Sequence, residues 1–251
     1  MIAGLPMYLF PQTKAAHDAF WALVRDELRV RGIDAPKHLS HDAPPYDVWG
    51  ADDLVLSHIC SLPFRLRFKG EVTLIAASDY GLDGCSPGMY RALFIVREDH
   101  PAETPEDLNR TTMALNSSDS NSGWGDAANW ALARDIRFRP TVWTGSHQNS
   151  VRAVAAGEAD FATIDAQTFR TLQRIDPATK SVRVIGATAP SPGMTFITRK
   201  DADPEPFRDA LQSALESLAP RHRDVLGLKG FPVLADEAYE IPLPPPPEEW
   251  R

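Results

Sequence analysis

Two polar turns carry most of the groups in this chain that could hold a ligand. The first, Asn116-Ser117-Ser118-Asp119-Ser120-Asn121-Ser122-Gly123, lies between the apolar run Thr112-Met113-Ala114-Leu115 and a helical pattern from Ala127 to Ala133. The second, Thr144-Gly145-Ser146-His147-Gln148-Asn149-Ser150, opens another helical pattern with Val151, Val154 and Ala155 on one face and Gly157 as its stop. A strand that runs through serine and glycine into a helix leaves first-turn N–H groups without intrahelical acceptors, at the positive end of the helix dipole. That is the chemistry of an anion site, and the hydroxyls of Ser120 and Ser122 add donors to it. Either turn alone has the composition of an ordinary helix cap. Two in succession point to a shared ligand. His147 stands inside the second turn with no apolar face to fill, and Ser150 is a further hydroxyl there. The run Ala159-Asp160-Phe161-Ala162-Thr163-Ile164-Asp165 reads as a short buried strand; Asp165 ends it where open α/β sheets bind ligands, whereas Asp160 is structural.

The elements that position these groups alternate between strand and helix. Ile2 to Met7 reads as a first strand, with Tyr8 following it toward a cleft, and a helix runs from about Thr13 to Arg31 with Ala16, Phe20, Leu23, Val24 and Leu28 on one face. Ala35 to Trp49 is rich in proline and polar residues and is expected to be a loop with a short strand. Further strands are expected at Asp53–Cys60, Val72–Ala77, Tyr90–Arg97, Ser181–Ala187 and Met194–Thr198, and a helix from about Pro204 to Leu218. Thr104-Pro105-Glu106-Asp107-Leu108 is a helix start, with Thr104 as cap and Pro105 at the first helical position. The proline-rich end from Pro242 is expected to lie extended on the surface.

This pattern predicts an α/β protein. It divides into two lobes, residues 1–98 with 191–251 and residues 99–190, joined by two extended crossings that form a hinge, with both polar turns facing a cleft.

Composition narrows the function. The 251 residues carry a formal net charge of -8, with 43% hydrophobic and 24% charged residues, as in an ordinary globular protein. An excess of acid over base disfavours a nucleic-acid or anionic-membrane surface, and no stretch approaches the roughly 20 apolar residues of a bilayer span. A small anion remains compatible, because backbone N–H groups and hydroxyls rather than net charge would bind it. Met1 to Tyr8 lacks the features of a signal peptide, so the chain as written is expected to be cytoplasmic, and periplasmic if the true start lies upstream. Cys60 and Cys85 could pair or remain as free thiols. His38, His41 and His58 lack zinc-ligand spacing, and no metal or cofactor is expected.

The segment from Thr144-Gly145-Ser146-His147 through Ser150 to Asp165 resembles the core motif of the phosphate, phosphite and phosphonate substrate-binding proteins of ABC transporters. Ser120-Asn121-Ser122-Gly123 resembles that family's serine-rich loop, and Asp79-Tyr80 with Gly84-Cys85, Gly88 and Tyr90-Arg91 its segment before the hinge. The resemblance runs from about Leu54 to Arg199 and implies a type II periplasmic-binding-protein fold closing on an oxyanion. It further implies that Ser120, Asn121 and Ser122 hold oxyanion oxygens, that His147 donates to the same group, and that Ser150 assists. Tyr8 and Tyr80 would close on the ligand from the other lobe, and Asp165 would meet its substituent. The partners implied are a small oxyanion and an ABC permease, with the chain itself a monomer. Pro190-Ser191-Pro192-Gly193-Met194 holds no acid where aminophosphonate binders of the family offer one, which argues against a ligand amine.

Two other readings bear on the same residues. An enzyme using Ser146, His147 and Asp165 is disfavoured, because adjacent Ser and His on one helix mouth do not face each other as a triad requires and no G-x-S-x-G elbow is present. An intracellular sensor or sequestering protein of the same fold is the alternative to a transport receptor.

Overall fold

In the computed structural model, which describes residues 1–250, the chain divides into two compact units. One comprises Met1–Met89 and Pro192–Tyr239; the other comprises Tyr90–Ser191 and the segment from Glu240 onward. The short strands Met89–Tyr90 and Ser191–Pro192, where the chain passes from one unit to the next, pair with each other.

The first unit is built on a four-stranded sheet in the order Ile2–Gly4, Leu54–Ile59, Thr195–Arg199, Val72–Ala77. The first two strands are parallel, and Thr195–Arg199 runs antiparallel to both of its neighbours. Leu54–Ile59 is buried at every position, as in a strand covered on both faces; its Ser57 hydroxyl donates to Gly4 O at 2.6 Å. The helix Lys14–Val30 lays Ala16, Phe20, Trp21, Val24 and Leu28 against this core at 1% exposure or less, and packs on Glu205–Ser217. Pro45–Trp49 is helical rather than a loop with a short strand: prolines occupy its cap and first turn, where a missing N–H costs nothing, and Val48 and Trp49 are buried. Cys60 and Cys85 are free thiols.

The second unit carries a five-stranded sheet in the order Arg139–Trp143, Thr112–Leu115, Phe161–Asp165, Ala92–Arg97, Val182–Ala187. Thr112–Leu115 is parallel to both neighbours, while Ala92–Arg97 is antiparallel to Phe161–Asp165 and Val182–Ala187. Its core is aromatic: Phe138 lies 4.7 Å from Phe161 in an edge contact, and Phe94 lies 6.3 Å from both rings. All three are fully buried.

Two boundary expectations are corrected here. Residues 90–98 belong with the second unit, because Ala92–Arg97 is an interior strand of its sheet. The proline-rich end is not a free surface segment either; Trp250 is 8% exposed and packs on Trp124 and Phe138, so the chain from Glu240 also groups with the second unit. The structure adds the helix Ala166–Ile175, whose buried residues mix Phe169 and Leu172 with Gln167, Thr168 and Thr171.

Phe161 touches both other rings of the aromatic layer, so Phe161→Ala removes a contact that neighbours cannot easily refill. It is expected to lower unfolding free energy by about 3–5 kcal/mol, read from urea denaturation; a loss below about 1 kcal/mol would contradict this packing.

Candidate functional site

The two polar turns are brought together by strand pairing. Thr112–Leu115 and Arg139–Trp143 are adjacent and parallel, with Leu115 opposite Trp143, so both strands deliver their C-terminal ends to the same edge of the sheet. Thr144 N–H donates to Leu115 O at 3.0 Å, and its hydroxyl also reaches that carbonyl at 3.1 Å, which ties the second turn to the start of the first. Helices then begin at Asn121 and His147, so two helix N-termini open side by side.

In the first mouth Ser120 is the cap: its Oγ accepts the Gly123 N–H at 3.0 Å. Gly123 is required for packing. A Cβ there would lie 1.7 Å from Asn116 Oδ1 and 2.9 Å from Ser120 Oγ, so a larger residue would have to push both side chains aside and disturb the Ser120 cap. Asp119 turns its carboxylate onto the Ser117 hydroxyl. In the second mouth Ser146 Oγ accepts the Asn149 N–H at 3.1 Å, and Gly157 closes the helix with φ 75°.

The mouths meet at one contact, with Ser122 Oγ 2.9 Å from His147 Nε2. Ser122 is 1% exposed; His147 retains some accessible surface, but its Nδ1 is buried and has no hydrogen-bond partner among the described residues. Burial pushes the imidazole down to about 4, so the ring is neutral at pH 7. A neutral ring with an unpartnered Nδ1 is best satisfied when Nε2 carries the proton, because an unpaired buried N–H costs more than an unpaired lone pair. Ser122 then accepts from His147 and keeps its own O–H to donate. His147 Nδ1 has no carboxylate to orient it, so the pair lacks the third member of a triad.

The remaining expected site residues fall into two groups. Asn121 is fully buried, and its amide nitrogen lies 2.9 Å from Tyr90 Oη, 2.9 Å from Asp126 Oδ2 and 3.1 Å from Ser191 Oγ, with Ser191 Oγ also donating to Asp126 at 2.9 Å. Its side chain braces the mouth from behind. Ser150 Oγ is 2.6 Å from Thr144 Oγ1 and 3.2 Å from Ser146 O, closing the second turn. Asp165, 1% exposed, accepts the Thr168 N–H at 2.7 Å and caps the helix Ala166–Ile175. Tyr8 and Tyr80 lie in the first unit as an edge pair with centroids 5.1 Å apart, and His58 is 6.5 Å from Tyr8. Tyr8 holds a left-handed backbone at φ 60°, with its carbonyl accepting the Thr13 hydroxyl at 2.8 Å. Thr144, Tyr90 and Ser191 stand in the sequence within longer segments that give them no contact of their own, and Asp126 is passed over there; their hydrogen bonds join distant stretches of chain and leave no local pattern.

Residues 56–239 match the family described as ABC transporter, phosphonate, periplasmic substrate-binding protein. The chain belongs to this family. It is a family of solute-binding proteins rather than enzymes, and the matched span contains both helix mouths. Solved structures agree in fold. PhnD1 from Prochlorococcus marinus in complex with methylphosphonate is 16% identical, with a TM-score of 0.71 over 96% of this chain and 94% of that one. XAC2383 from Xanthomonas citri bound to ATP is 18% identical, with a TM-score of 0.70 over 95% and 92%. The binding component of an ABC phosphonate transporter from Pseudomonas aeruginosa is 16% identical, with a TM-score of 0.67 over 95% and 82%. No curated protein matches the chain in sequence. The fold is thus the two-lobe α/β fold of the periplasmic binding proteins, and among the described residues no helix is long and apolar enough to cross a membrane.

Neutral burial of His147 has a consequence for stability. Its folded pKa is depressed, to about 4, below that of the unfolded chain, so the unfolded state binds the proton first as pH falls. Stability is therefore full above about pH 6.5 and declines as pH drops toward 4. Relative to a His147→Asn variant, the protein should lose about 1–2 kcal/mol more between pH 6.5 and pH 5, read by denaturant titration at each pH. Parallel curves would show that the imidazole titrates freely.

Proposed function

We propose that this protein is the receptor of an ABC-type uptake system and binds a small phosphorus oxyanion, phosphate, phosphite or a phosphonate, at the paired helix mouths of its second unit. The observation that carries this reading is the Ser122 to His147 contact at 2.9 Å, which joins two helix N-termini and leaves the Ser122 O–H free to donate to a ligand oxygen. Ser120, Ser122 and the first-turn N–H groups supply donors, and His147 sets the Ser122 hydroxyl. Asn121, Ser150 and Asp165 act as supports, through the hydrogen bonds each makes within the unit. Family membership supports the ligand class, as does the methylphosphonate bound by the Prochlorococcus marinus relative.

Each charge-assisted hydrogen bond contributes about 1.5–3 kcal/mol, so a few of them suffice for micromolar affinity. A dianion beside His147 opposes the desolvation that depresses its pKa, and binding between pH 5 and 6.5 should therefore take up protons.

Isothermal titration calorimetry against phosphate, phosphite and methylphosphonate, with sulfate as control, tests the reading. Saturable binding of at least one phosphorus anion is expected. Ser122→Ala should weaken it by roughly 10- to 100-fold, with circular dichroism unchanged. Full affinity in both Ser122→Ala and His147→Ala would place the anion elsewhere.

A further inference from the structure

The proline-rich end of the chain crosses the helix that forms the first mouth. Pro245 O accepts the Trp124 indole N–H at 2.9 Å, and Pro242 O accepts the Asn129 side-chain amide at 2.8 Å. Trp250 sets its ring edge-on to Trp124 at 5.1 Å and stacks on Phe138 at 6.0 Å, with the Arg137 guanidinium 5.2 Å from its centroid. Two carbonyls and one ring thus grip successive turns of the helix beginning at Asn121.

Trp124 is the link to the site. It is fully buried, two residues after Ser122 and next to Gly123, whose surroundings leave no space for even one added carbon. The Trp124 backbone N–H donates to Ser120 O at 3.0 Å, closing the turn that carries Ser122, so a displaced indole pulls on that turn through its backbone. The strap is suited to hold such a group, because prolines at 242, 244, 245, 246 and 247 restrict φ before docking and little backbone entropy is lost.

We infer that the segment Pro242–Trp250 is a positioning element for the anion site, acting through Trp124 to fix Ser122 and the first-turn N–H groups. This rests on the proposed location of the anion, and the test separates the two.

Two full-length variants decide it: Trp250→Leu, which removes the ring under Trp124, and Trp124→Phe, which keeps a ring but deletes the donor to Pro245. Methylphosphonate affinity is measured by calorimetry where both are folded, alongside amide hydrogen exchange without ligand. The expected result is about tenfold weaker binding in Trp250→Leu and a severalfold loss in Trp124→Phe. Amide exchange should be faster at residues 122–125, with the strand Ala92–Arg97 still protected. Unchanged affinity in both variants, or exchange accelerated evenly through the unit, would reduce the strap to a general stabiliser and overturn the inference. If Trp250→Leu does not fold, Trp124→Phe carries the decision. If the unaltered protein binds no methylphosphonate, phosphate or phosphite replaces it as the probe; silence of all three fails the site reading, while local exchange still shows whether the strap holds the turn.

Discussion

The parallel pairing of Thr112–Leu115 with Arg139–Trp143 is the constraint on which the candidate site depends. Parallel neighbours present the same end to the same edge, so the loops that leave them must lie side by side. Each loop then turns into a helix, and the two helix N-termini face a common region with their dipoles adding. An antiparallel arrangement of the same strands would send one turn to the opposite edge of the sheet and separate Ser122 from His147. The remaining features of the second unit either make this pairing rigid or tune the groups that it brings together.

Rigidity comes from two layers of different chemistry. Phe94, Phe138 and Phe161 form an aromatic layer, extended by Trp124 and Trp250 toward the first mouth. Behind Asn121 lies a polar cluster of Tyr90, Asp126 and Ser191, nearly all of it removed from water. Such a cluster stabilises only when its members meet with good geometry, so it favours one arrangement of the turn over many. Apolar packing would tolerate small shifts of the helix, whereas a hydrogen-bonded amide at its first residue does not.

Electrostatics explains how an acidic protein can offer an anion site. The net charge of -8 is a property of the whole chain, and charges more than a Debye length away are screened by salt, while the mouths act through short-range donors. His147 is kept neutral by burial, so in the unliganded protein no uncompensated positive charge has to be held in the mouth. His58, in the first unit, is pushed down to about 3 by the same desolvation, assisted by nearby His17. The protein thus buries imidazoles as neutral donors and acceptors rather than as cations.

The sequence by itself determined what depends on near neighbours along the chain. Val72–Ala77 and Thr112–Leu115 read as strands from apolar β-formers, Thr104-Pro105 as a helix start, and the two Ser- and Gly-containing turns as helix mouths, because propensity and capping act over a few residues. The resemblance carried by Ser120-Asn121-Ser122 and Thr144 to Asp165 also lay in contiguous residues. Tertiary structure alone decided the rest. Asn121 and Asp165 stand in the linear chain as polar groups beside a turn and at a strand end, and only the fold shows the partners they hold: residues 90, 126 and 191 for one, the N-terminus of a helix for the other. The return of the proline-rich end onto Trp124 joins positions 121 residues apart, and no local pattern records it. A side chain's chemistry is written in its type, but its availability is set by which distant groups the fold brings within hydrogen-bonding reach.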